Sequence, residues 1–306
     1  MGVLRPLAVL LLVTATAFAQ QPPDRSAGAR LVPPKPQPAP AGAKAEPVPP
    51  KPQPAPIGAK ADYHVHLKAD LNLEDALKKS RATGITYGIA INGGITFPIN
   101  SDAGLETFLQ DMRGKPVYLA FQAEGREWVR LFTRPTLQKF DYVFTDAMTW
   151  TDDRGRRMRL WIKEDVGDIP DPEAFMDLLV NRATGIFDHE PIDLYVNPTF
   201  VPAQLQPDYE RLWTPARMQA IVDGLARNGI GMEINNRYRI PSAAFIRLAK
   251  ASGVKFACGT NNAGAADLGS NEYCAQMIRE CGLGPGDFWT PPAEGRKAVQ
   301  RRPMPK

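Results

Sequence analysis

Residues 61–91 read ADYHVHLKADLNLEDALKKSRATGITYGIAI. The two ends of this stretch, 61–66 and 85–91, are short runs rich in apolar, β-branched and aromatic side chains, the composition of buried strands. Between them Asn72 stands before Leu73-Glu74-Asp75 in the position of a helix N-cap, and Gly84 ends the amphipathic segment. Strand, helix and strand in that order make one parallel crossover unit.

The same grammar recurs downstream. Further strands are expected at 117–122, 141–146, 192–197, 230–234 and 254–259, which brings the count to seven. Helix starts are marked by Asp171-Pro172-Glu173, Thr214-Pro215 and Ile240-Pro241-Ser242, where a capping oxygen or a proline with fixed φ favours the first turn. Gly229 and Gly253 repeat the stop at Gly84. Residues 62–283 therefore form a single α/β domain long enough for a substantial core.

What precedes the domain is of a different kind. Arg5, the apolar run Leu7 to Val13 and the small-residue sequence Ala17-Phe18-Ala19 before Gln20 describe a secretory signal over residues 1–19. The run falls short of the roughly 20 apolar residues a bilayer requires, and no cysteine follows the cleavage point. No later stretch has transmembrane length either, so a secreted or periplasmic protein is expected. Residues 20–61 hold two near-identical copies of one unit, Val32 to Ala45 and Val48 to Ala61, differing only at Ala41 and Ile57. Thirteen of the thirty prolines lie there. With almost no bulky apolar side chains, the segment is expected to be an extended polyproline-like tether, with a ligand for a proline-binding domain or contact to an anionic envelope surface through its lysines as the alternatives.

The formal net charge of +4 is misleading about the domain. Residues 1–61 carry +5 and residues 296–306 another +5, which leaves −6 on residues 62–295. An acidic body gives no electrostatic support to a nucleic-acid partner. Residues 284–306 are expected to be a loose basic tail. Of the three cysteines, Cys274 and Cys281 lie two turns apart on one expected helix, about 10 Å by helix rise and too far to bridge. Any disulfide should involve Cys258.

Polar residues gather where the strands end: His64 and His66, Asn92, Gln122 and Glu124, Asp146, Asn197, Glu233 with Asn235 and Asn236, and Thr260-Asn261-Asn262. In a barrel of parallel strands these ends converge on one face. His64 and His66, two residues apart on a strand, place both imidazoles on one side.

The motif Asp62-Tyr63-His64-Val65-His66, together with Glu233-Ile234-Asn235, the helix through Ala249 and Gly259-Thr260-Asn261-Asn262, resembles the polymerase and histidinol phosphatase (PHP) family of metal-dependent phosphoesterases. The resemblance spans most of residues 62–283. It implies a distorted (β/α)7 TIM-like barrel with parallel strands and a site built on divalent metal. The chain departs from the family where metals are bound. Ile91-Asn92-Gly93 stands in place of T-D-H, Asp146-Ala147-Met148 in place of S-x-H, and Asn197-Pro198-Thr199 in place of H-P-H. Asn261 and Ala263 replace the last Asp and His. Amides are far poorer ligands than carboxylate or imidazole.

The expected remnant is one Zn, Mn or Fe ion held by His64, His66 and Glu124, with Asp146 or Glu233 as base. Arg237 and Arg239 after the sixth strand are the expected anchors for an anionic substrate group, with Asn92, Asn197, Asn235 and Asn261 as further binding residues. The run Arg154 to Arg159 reads as solvated loop charge, and His189 as the end of a helix. A small-molecule or polar anionic substrate fits this inventory. Three functions follow as alternatives: a secreted hydrolase of phosphoesters with a reduced metal site, an inactive module binding carbohydrate or phosphate, and a metal-dependent amide or lactone hydrolase. No nucleophile elbow, dinucleotide fingerprint or P-loop competes with them.

Overall fold

The computed structural model describes residues 60–305. The expected signal segment and nearly all of the expected tether lie outside the described residues. Among the described residues there are nine strands: β1 (Ala61–Val65), β2 (Thr86–Gly93), β3 (Tyr118–Ala123), β4 (Tyr142–Thr145), β5 (Thr149–Thr151), β6 (Arg157–Arg159), β7 (Leu194–Tyr195), β8 (Gly231–Asn235) and β9 (Phe256–Gly259). Seven of them pair in the order β1-β2-β3-β4-β7-β8-β9, every neighbour parallel. The sheet curls until β9 returns to β1. There the Asn261 N–H donates to the His64 carbonyl at 2.8 Å, and the Thr260 N–H and hydroxyl both donate to the Asp62 carboxylate. The result is a nearly closed (β/α)7 barrel.

The helix boundaries have the expected chemistry. Asn72, Asp171, Thr214 and Ser242 each accept a hydrogen bond from the backbone N–H three residues on, which satisfies a donor the helix itself leaves orphaned. Gly84 and Gly229 take φ of 71° and 65° at helix ends, a conformation costly for any residue with a Cβ.

Barrel interior and barrel wall divide the core. Tyr63, Tyr118, Ala120, Tyr142, Phe144, Leu194, Val196 and Ala257 fill the inside, and the larger cluster lies between strands and helices. Strand alternation is broken once, in β1. Its register against β2 slips by a residue between Asp62 and Val65, a bulge that lets Tyr63 and His64 both face inward while Val65 packs on the outside. Trp289 closes the bottom, edge-on to Tyr63 and Tyr142 at centroid distances of 5.1 and 5.2 Å.

Two expectations are corrected. Residues 284–306 are not a loose tail, at least as far as Pro305. Beyond Trp289 a short helix, Ala298–Arg301, buries Val299 completely, the Ala298 N–H donates to Asp193, and the Arg302 guanidinium donates to the Phe187 carbonyl. The basic count concealed the apolar residues that anchor the segment. Part of the run Arg154 to Arg159 is strand β6, paired antiparallel with β5 as a hairpin that rises beside the barrel mouth. Arg157 is held by Glu127 and Arg159 by Asp165, so this charge is paired rather than merely solvated. Cys258 and Cys274 form a disulfide, and Cys281 is a buried free thiol.

Candidate active site

The strand ends of the parallel barrel surround a cavity of about 520 Å³. His66, Asn92, Gln122, Glu124, Asp146, Asn197, Arg237 and Asn261 all contribute to its wall, each expected near the site from its place at or just beyond a strand end. Lys68, Met148 and an aromatic set, Phe97, Trp161 and Tyr238, were not anticipated. Phe97 follows β2, Trp161 follows β6 and Tyr238 follows β8, so their convergence is a tertiary event. Trp161 keeps 46% of its surface exposed at the mouth.

Below the cavity the polar groups are wired together. Asn197 is the hub: its side-chain N–H donates to Asp146 at 2.9 Å, and its carbonyl oxygen accepts from Asn235 and Asn261 at 2.9 and 3.2 Å. The left-handed φ of 48° at Asn197 also turns its backbone N–H onto Glu233 at 2.7 Å. Glu233 accepts from Asn235 as well and meets His64 Nδ1 at 2.7 Å. Both oxygens of Glu233 are engaged, 1% of its surface is exposed, and it is not among the residues lining the cavity. Asn235 is wholly buried in the same network.

Glu124 and Asp146 are the acids that face the cavity. Asn92 and Thr149 donate to the two oxygens of Glu124, and the Met148 N–H donates to Asp146. Burial, reinforced by the charge of Asp146, raises the Glu124 pKa to about 8. Burial raises Asp146 too, against the hydrogen bonds from Asn197 and Met148. His66 is driven well below the usual imidazole value, first by burial and then by the positive charges of His64 and Lys68. Lys68 stands at the rim, where desolvation and the neighbouring Arg237 bring its pKa down to about 8. Lys68 and Arg237 thus make a cationic lip over an acidic floor.

Arg239 is not part of this lip. Its guanidinium donates to Gln276 and stacks over Tyr273 at 4.8 Å, away from the cavity. His189 ends the helix Pro172–His189 and lines a different groove.

The expected metal site can be tested against the donors present. His64 Nε2 is buried with no hydrogen-bond partner, and the His64 and His66 rings stand 5.1 Å apart, which would suit a ligand pair. Catalytic zinc, however, takes three protein ligands. Among the described residues no group of three or more His, Cys, Asp or Glu side chains is placed to hold an ion. The Glu124 and Asp146 oxygens are each committed to a donor instead. As placed, His64, His66 and Glu124 do not gather into a three-ligand set.

No family model matches the chain, and no curated protein does. Among solved structures, the fold is similar to the crystal structure of histidinol phosphate phosphatase from Lactococcus lactis subsp. lactis Il1403, complexed with zinc, L-histidinol and phosphate. The TM-score is 0.51 at 11% identity, covering 74% of this chain and 95% of that one. A cryo-EM structure of archaeal ribonuclease P with mature tRNA matches at a TM-score of 0.36 and 11% identity, over 74% of this chain and 90% of that one, too weakly to bear on the site. The similarity to the phosphatase is one of barrel fold. Among the described residues no helix is long and apolar enough to cross a membrane.

Proposed function

We propose that this protein is an exported hydrolase of small anionic esters, phosphoesters foremost, that works by proton transfer between side chains at the barrel mouth. One observation carries the reading: a single cavity in which two buried acids, Glu124 and Asp146, face the cationic pair Lys68 and Arg237. The ammonium and guanidinium hold the anionic group and offset charge that builds up on its oxygens. Glu124 is protonated below about pH 8 and gives its proton to the departing ester oxygen. Asp146, held by Asn197 and the Met148 N–H, takes a proton from the water that adds to phosphorus as the ester bond breaks. Fold likeness alone would not warrant an activity, because function resides in the site. Export rests on residues 1–19, and the Cys258–Cys274 disulfide suits an oxidising compartment.

The mutually satisfied network around Asn197 favours a second reading, a module that binds phosphate without turning it over. Assay of the mature chain against phosphomonoesters, with chelator present, separates the two. Turnover is expected, reduced about 100-fold or more in Glu124→Gln with phosphate affinity retained, and declining as pH passes about 8. Phosphate binding with no turnover would establish the module. Turnover that appears only with added divalent metal would sink the side-chain mechanism.

A further inference from the structure

We propose a second anion site on the flank of the barrel, separate from the mouth, that takes the phosphate group of a small molecule. A groove of about 430 Å³ runs between the loop after β3 and the helix Pro172–His189, with Pro305 of the packed C-terminal segment at its edge. Three arginines line it, Arg126, Arg130 and Arg182, beside His189. The two acids in its wall are already engaged: Glu190 accepts from Arg126 and Trp128, and Glu127 accepts from Arg157 and Thr151.

Arg182 is the telling residue. Its guanidinium lies 4.3 Å over the face of Trp150, which fixes the plane and leaves the fork open. Among the described residues no hydrogen-bond acceptor or ion-pair partner meets it. Its Nε is buried and unsatisfied, as is the Nε of Arg126. Partial burial, then the like charge of Arg126, disfavour its cation, against a smaller favourable effect of Asp153 and Asp152, and an oxyanion between the two guanidiniums would offset that cost.

A second, independent feature points the same way. Gly185 lies inside the helix, where glycine is unfavourable relative to alanine, yet a Cβ there would touch nothing within 4 Å. Packing does not call for glycine at this position. Its effect is to leave the groove floor bare, and the space accommodates an organic group attached to the phosphate. Arg126 also donates to Thr145 and to the Asp146 carbonyl, so it is a structural post between groove and barrel mouth and is unsuited to mutation.

The test uses the mature chain and inorganic phosphate, read by calorimetry in a Lys68→Met/Arg237→Met background that removes the cationic lip of the mouth. Phosphate is expected to bind there still, and to bind about tenfold or more weakly once Arg182→Met is added. Gly185→Leu should weaken it similarly by filling the floor, with a thermal midpoint no lower than its parent because leucine favours helix. Absence of phosphate binding in that background, or affinity unchanged by both added substitutions, overturns the proposal. Neither result bears on the mouth, which is assayed separately by turnover.

Discussion

Glu124 is the residue on which the chemistry and the pH behaviour of the fold meet. Its folded pKa, about 8, lies above the ordinary carboxyl value, so between roughly pH 4.5 and 8 the folded protein holds a proton that the unfolded chain gives up. The resulting stabilisation is fully present below the unfolded value and is lost as pH rises through the folded one. Glu124→Gln removes the dependence. Compared with the parent, that variant should gain stability steadily from pH 5 to 8 and gain little more beyond, as urea denaturation at a series of pH values would register. A stability difference flat across the range would mean Glu124 is ionised in the fold. Much at this scale was legible in the sequence: a polar residue just past a buried strand of a parallel barrel must face the mouth, which brought Glu124, Asp146 and Asn197 to notice. Lys68 and Trp161 were not legible, because each depends on where a loop folds back, and local periodicity carries no record of that.

At the scale of elements, the parallel strands and their helices were readable because burial on both faces and capping chemistry each leave a local trace. The β1 bulge was not. His64 and His66 were expected to share a face by simple alternation, and they do face the same interior, but Tyr63 joins them only because the register slips beside it. The hairpin of β5 and β6 was missed for a similar reason, since three-residue strands, Thr-Trp-Thr and Arg-Met-Arg, lack the apolar run that announces a strand. A tight fit on β8 is testable. A Cβ on Gly231 would come within 2.4 Å of the Trp289 ring, which is itself fixed against Tyr63 and Tyr142. Gly231→Ala should destabilise the protein by about 1–3 kcal/mol through overpacking, measured by chemical denaturation. A neutral result would mean the bottom of the barrel can yield.

For the whole molecule, the C-terminal segment is part of the fold and not an appendage. Trp289 plugs the barrel opposite the site, and Trp289→Ala should cost about 3–5 kcal/mol, the range for emptying a buried aromatic site. A chain ending at residue 284 would lose that plug together with Val299, and should fail to give a cooperative melt. Composition pointed the other way, because five basic residues outweigh one tryptophan and one valine in any average while the pair dominates the packing. The disulfide closes a 16-residue loop that carries Thr260, Asn261 and Asn262, the residues that seal β9 against β1 and reach the mouth. Opening it through Cys258→Ser/Cys274→Ser should cost about 3 kcal/mol by the loop-entropy estimate. That loop sets a condition on how the protein is made. A preparation drawn from a reducing cytosol would carry the barrel's last seam unfastened, and a weak or silent assay on such material would report on the host cell's thiol chemistry before it reported on the protein.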